Sequence, residues 1–239
     1  MVESYPGKYC DKTGEETTTI QNDGKILWMV LRGIEFVGND FHWFEPSEHG
    51  DESKLEQFSL FLGGLCSYTL DCDIPVLIVE GNKAHRESLR VHVEYGEPVE
   101  GPPGTIVHRK DGFVFRDSRQ IGHEVLQLES TFGGGSFKTS GRNMYSSFDE
   151  QLTELRNLLP EGVYLKTCWS CAFSDYHPAG SGSFGGLACF RNNKDEYRRV
   201  KTKRELISLW EKRSELVQEI HLCSKFEKRQ SRVGGLYVG

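Results

Sequence analysis

The chain has 239 residues, 37% of them hydrophobic and 27% charged, with a formal net charge of −6. That is enough chain to bury a large core, and the balance is that of a globular fold rather than a disordered segment. The acidic total argues against a general affinity for nucleic acid or anionic membranes, no apolar run approaches the roughly 20 residues of a membrane span, and Met1–Gly7 lacks the basic-then-apolar order of a secretory signal. The expectation is a cytoplasmic protein that makes no membrane contact.

Residues 1–145 read as mainly β. The run Ile26–Val37 is rich in β-branched and aromatic residues and ends at Gly38-Asn39-Asp40. Phe58–Leu62, Cys66–Leu70 and Pro75–Val79 follow as strands, each bounded by Gly, Pro or Asp. Leu89–Tyr95 alternates cleanly, with Leu89, Val91, Val93 and Tyr95 on one face and Arg90, His92 and Glu94 on the other. Gly112–Phe115 is another short strand, and Val125–Glu129 with Ser136–Thr139 form a hairpin through three glycines. Seven or eight strands at this spacing imply a sandwich or a strongly bent antiparallel sheet.

Two helices follow. Ser147-Phe-Asp-Glu150 is a capping box, after which Phe148, Leu152, Leu155 and Leu159 recur at near-helical spacing until Pro160-Glu161-Gly162 stops the helix. Thr202-Lys-Arg-Glu205 opens the second, with Leu206, Leu209, Trp210 and Arg213 along one side. Strands at Val163–Cys168, Gly186–Phe190 and Leu216–Cys223 flank them. The fold class is α+β: a mainly antiparallel β region, 1–145, packed with a smaller α+β region, 146–239, either as two units or as one continuous fold.

Charge divides along the chain. Residues 1–190 carry 16 Lys and Arg against 28 Asp and Glu, whereas residues 191–239 carry 13 against 7. The plain reading is a solvated basic face; the sharper one is a patch for an acidic partner or a phosphate backbone. Few aromatics interleave with those charges, which argues against a base-stacking platform.

The seven cysteines stand at 10, 66, 72, 168, 171, 189 and 223. An odd count with no export signal fits a reducing compartment, where thiols stay free or bind metal. Cys168-Trp-Ser-Cys171 follows a predicted strand, as a metal knuckle does, because a tight turn sets both thiolates on one side. Cys189 and Cys223 complete a four-thiolate set of the kind that binds structural zinc. The alternatives are His177 or His221 as the fourth ligand, small buried hydrophobes with no metal, and a Cys168/Cys171 redox pair.

The run from Leu159-Pro-Glu-Gly-Val-Tyr through Cys168-x-x-Cys171, Phe173-Ser-Asp-Tyr176, Phe184-Gly-x-Leu187 and Cys189-Phe-Arg191 resembles a bacterial domain-of-unknown-function family. The resemblance extends over residues 120–229 and more loosely over the N-terminal part. It implies a bacterial cytoplasmic protein and transfers no activity; the four-cysteine reading stands on spacing alone.

Other motifs carry less. Gly180-Ser-Gly-Ser-Phe-Gly185 matches a phosphate-loop pattern without the strand and helix such a loop needs, and reads as a loop wrapping the knuckle. His42 and His49, among Glu45, Glu48, Asp51 and Glu52, read as an acidic solvated loop, with a second metal or partner site as the alternative. The expected function is a non-enzymatic, zinc-stabilised protein acting on a protein partner, for example as an immunity or antitoxin partner. Two alternatives stand beside it: a hydrolase-like enzyme using the 173–191 loop through Asp175, His177 and Arg191, and nucleic-acid binding through the basic C-terminal region.

Overall fold

The fold comes from a computed structural model that describes residues 2–47, 52–100, 106–110, 113–117, 119–141, 147–179 and 184–229. Its frame is antiparallel. A first hairpin joins β1 (Glu3–Asp11) to β2 (Gly14–Asn22), and a meander of β3 (Leu27–Leu31), β4 (Ile34–Asp40) and β5 (Trp43–Pro46) follows. The short pair β6 (Leu60–Phe61) and β7 (Gly64–Leu65) leads into two 13-residue strands, β8 (Tyr68–Glu80) and β9 (Lys83–Tyr95). Minor pairs join β10 (Pro98–Glu100) to β13 (Arg119–Ile121) and β11 (Ile106–Lys110) to β12 (Phe113–Asp117). The hairpin β14 (Glu124–Phe132) and β15 (Gly135–Lys138) closes the sheet, whose order is β15-β14-β9-β8-β1-β2-β3-β4-β5.

Three departures from the sequence reading have local causes. The run Ile26–Val37 is a hairpin rather than one strand: Arg32 and Gly33 turn the chain with φ of +50° and +79°. Arg32 tolerates that conformation because its guanidinium grips both oxygens of Asp11, at 2.7 and 2.9 Å, and its amide donates to Glu16 at 3.0 Å. Cys66–Leu70 and Pro75–Val79 belong to the single strand β8 and its approach, despite Pro75. The outer edge of β8 pairs with β1 as far as Cys72 and with a later strand only from Ile78, so Pro75 falls where no neighbour needs its missing N–H. The opening hairpin was not read from the sequence, because Gly7, Pro6 and a threonine-rich β2 obscure its alternation.

Helix α1 (Phe148–Leu158) lies against β14 and β15, burying Phe148, Leu152 and Leu155; the Glu150 carboxylate accepts from the Ser147 amide at 3.2 Å. After Pro160 the chain enters β16 (Val163–Leu165), which pairs with the end of β8. A three-stranded sheet follows, β17 (Ser174–Asp175), β18 (Leu187–Cys189) and β19 (Glu215–Val217), with α2 (Lys194–Tyr197) and α3 (Lys203–Trp210) between the last two. In α3 the capping box is complete: Glu205 N–H donates to Thr202 Oγ1 at 3.3 Å and Thr202 N–H to Glu205 at 2.9 Å.

The main hydrophobic core runs from Tyr5 through the long strands to Leu165, Leu187 and Ile220, so both halves of the chain contribute to it. Residues 142–146, where the halves were divided, lie outside the described residues. A second cluster, including Phe173, Phe190, Tyr197 and Leu206, sits under α2 and α3.

Burial on α1 is one-sided, and this fixes an expectation. Leu152→Ala empties a fully buried site and should cost about 2–5 kcal/mol. Leu158→Ala, at a residue 43% exposed, should cost less than about 0.5 kcal/mol in the same urea titration.

Candidate functional site

The CxxC loop grows directly out of the sheet. Lys166 N–H donates to Leu77 O at 2.7 Å, extending the β16–β8 ladder by one bond before the chain turns away. Residues Cys168–Ser170 then form a single 3₁₀ turn closed by Cys171 N–H to Cys168 O at 3.1 Å. Side chains fix its carbonyls: the Ser174 hydroxyl reaches Cys168 O and, at 3.2 Å, Cys171 O, while Arg229 Nε donates to Cys171 O at 3.1 Å. Both cysteines therefore start from backbone that is held in place.

The other two cysteines are brought alongside. Cys189, on β18, pairs with Ser174 on β17, three residues beyond Cys171. Cys168 N–H donates to His221 O and Trp169 N–H to Glu219 O, both at 3.0 Å, which places the segment bearing Cys223 against the knuckle. Two of the thiols accept backbone hydrogen bonds, Cys223 from Lys225 N–H at 3.3 Å and Cys189 from Arg191 N–H. The Arg191 guanidinium, ion-paired with Glu215 at 2.5 Å, also donates to Cys223. Cys168 and Cys189 belong to the main core and Cys171 to the second cluster, so the sulfurs lie along the seam between the two.

All seven cysteines are free. Burial pushes the Cys168 thiol well above its ordinary range, and the charges of Cys171, Cys223 and Cys189 push it further. Cys189 is raised by burial, opposed by the Arg191 amide and guanidinium. Among the described residues no three His, Cys, Asp or Glu side chains stand gathered as a metal-holding set. The segments that carry the four cysteines adjoin, but their sulfurs form no closed tetrahedron.

The other candidate residues have different partners. The His177 ring packs edge-on against Trp210, 4.7 Å between centroids, and its Nδ1 accepts from Ala179 N–H at 3.2 Å. His221 is exposed, and its carbonyl rather than its ring meets Cys168. Asp175 is buried and accepts from Tyr197 OH at 3.1 Å and from the Tyr176 amide at 3.0 Å. Ser174, Asp175 and His177 thus do not converge on a common point. Residues 180–183 of the glycine loop lie outside the described residues, as do His49, Glu48 and Asp51.

His42 departs from the solvated-loop reading. It is largely buried, with Nδ1 3.3 Å from both Asp40 Oδ1 and Glu124 Oε1. Burial alone would lower its pKa, but Asp40 and Glu124 outweigh that and hold it above the usual value. The pairing with Glu124 spans 82 residues of chain, and no local pattern announces it.

Residues 3–174 match DUF6304, a family of unknown function. The chain belongs to that family. The match takes in the whole N-terminal sheet and ends just beyond Cys171, so it covers the part where the sequence resemblance was loosest and stops before Cys189 and Cys223. No curated protein and no solved structure matches the chain. No helix among the described residues is long and apolar enough to cross a membrane.

One buried group in this DUF6304 chain went unread in the sequence. Glu219 is fully buried; its Oε1 meets Tyr176 OH at 2.7 Å and its Oε2 accepts from Gly185 N–H at 2.8 Å. Burial raises its pKa from 4.5 to about 8, against those two hydrogen bonds. The folded state therefore prefers the neutral acid. Its stabilisation is complete below about pH 4.5 and is lost as the pH climbs to about 8. Relative to Glu219→Gln, the wild type should lose on the order of 4 kcal/mol across that interval, read from urea unfolding of both proteins at about pH 5 and about pH 9. Parallel stability curves for the two proteins would contradict the assignment.

Proposed function

We propose that this DUF6304 protein is a non-enzymatic, zinc-stabilised protein of the bacterial cytoplasm that acts by binding another protein. The observation that carries the reading is the meeting of three segments distant in sequence at Cys168/Cys171, Cys189 and Cys223, through the backbone bonds from Cys168 to His221 and the Ser174–Cys189 register. Four adjacent thiols repel one another when ionised, and a dication removes that repulsion while deprotonating them. The Arg191 amide opposes the burial that raises the Cys189 thiol, and Lys225 N–H donates to the Cys223 sulfur. Because no metal-holding group is gathered among the described residues, binding an ion requires these side chains to move towards it.

A set of four thiolates leaves no open coordination position for substrate. Asp175, His177 and Arg191, the residues the enzyme reading uses, are engaged by Tyr197, Trp210 and Glu215. Both points support binding over catalysis.

A structural zinc contributes on the order of 10 kcal/mol of apparent binding free energy, comparable with the whole stability of a domain. Purified protein should carry about one zinc per chain by elemental analysis. Cys168→Ser and Cys223→Ser should each lower the melting temperature by about as much as strong chelation lowers that of the wild type, while Cys10→Ser should leave it unchanged. Protein with well under about half an equivalent of zinc, and a melting temperature indifferent to chelator, would overturn the proposal.

A further inference from the structure

The β8–β9 turn, β16 and the segment 221–229 border an open cleft of about 340 Å³. That is within the range of small-molecule sites, at its lower end. In a chain of net charge −6, none of the residues lining this cleft is acidic, and two are lysines. Lys228 Nζ lies 4.0 Å from the Tyr164 ring centroid and Lys166 Nζ 5.9 Å from that of Phe226. The two rings are 6.2 Å apart and 14° from parallel. Neither lysine has a carboxylate partner among the described residues, whereas Arg191, Lys194 and Lys212 in the same part of the chain are each ion-paired.

We propose that this cleft binds a nucleotide, its phosphate held by Lys166 and Lys228 and its base laid on the Tyr164–Phe226 ring pair. Two ammonium groups match the charge of a phosphate monoester, close to −2 near neutral pH, and its three oxygens accept from both. The contacts holding each lysine over a ring are weak at an exposed site, so a phosphate draws the flexible side chains outward and uncovers the ring faces for stacking. Asn82, at the turn beside the cleft, adds an amide for the sugar or base edge. A carboxylate-rich peptide would use the lysines but gain nothing from two near-parallel rings. The cleft does not depend on the zinc reading: Ala172 N–H to Glu227 O at 2.7 Å and Arg229 N–H to Ser170 O at 3.1 Å hold the closing segment independently of the sulfurs.

The test is calorimetric titration of the full chain with AMP, adenosine, inorganic phosphate, hexaglutamate, and an oligothymidylate with and without a 5′-phosphate. AMP should bind saturably, at least about tenfold more tightly than adenosine, phosphate or hexaglutamate. The double variant Lys166→Gln/Lys228→Gln, at one half-buried and one exposed site, should lose at least about tenfold in affinity at unchanged melting temperature, and Phe226→Leu several-fold, while Lys225→Gln should bind as the wild type does. Tighter binding of the 5′-phosphorylated strand than of AMP would identify a strand end as the source of the nucleotide, and the reverse order a free nucleotide. Absence of saturable AMP binding, hexaglutamate binding equal to that of AMP, or affinity unmoved by the lysine pair would each overturn the proposal.

Discussion

The divided outer edge of β8 is the constraint on which the rest of the molecule depends. One strand serves two partners on that edge: Tyr68–Cys72 pairs with β1, and Ile78–Glu80 pairs with β16. The opposite edge is covered along its whole length by β9. Because β16 takes up the place β1 leaves, the chain arrives at the C-terminal third already registered to the large sheet, and the CxxC turn begins within three residues of that register. The lysine–aromatic cleft is built at the same place, from the β8–β9 turn and β16. A proline in the gap between the two partners costs nothing, since no ladder hydrogen bond is required of it there.

From that anchor the C-terminal third is held by crossing hydrogen bonds more than by its own regular structure. Its strands are two or three residues long, too short to be stable alone. What keeps them together is a set of polar ties across long sequence separations: Arg229 to the knuckle carbonyls, Asn22 to Gln218 at 2.7 Å, and Glu219 to Tyr176 and Gly185. Buried polar contacts of this kind specify one arrangement because leaving any of them unmade is costly. The cysteines sit where these ties cross, at the seam of two hydrophobic clusters, and a cation bound there would join the clusters directly.

What was legible in the sequence was whatever has a short period. The alternation of Leu89–Tyr95, the glycine-linked hairpin at 124–138 and the capping box at Thr202 are local patterns, and each appears where it was read. The CxxC turn after a strand was likewise local and is present as a 3₁₀ turn. Features that depend on distant partners were not legible. Arg32 stands in a left-handed turn because Asp11 and Glu16 hold it, His42 is tied to Glu124 across 82 residues, and burial raises the pKa of Glu219 against the hydrogen bonds it accepts from Tyr176 and Gly185. The lysines at 166 and 228 are 62 residues apart, so the aromatic pairing that the basic tail lacks along the sequence is supplied by the fold.

The proposed zinc requires the cysteines at 168, 171, 189 and 223 to close around one ion. X-ray absorption at the zinc edge, on protein purified without added metal, measures this directly. The account predicts a single shell of four sulfur scatterers at about 2.3 Å, reduced to three sulfurs with a lighter ligand in Cys223→Ser. A shell of nitrogen and oxygen at about 2.0–2.1 Å, or no bound zinc to measure, would contradict it.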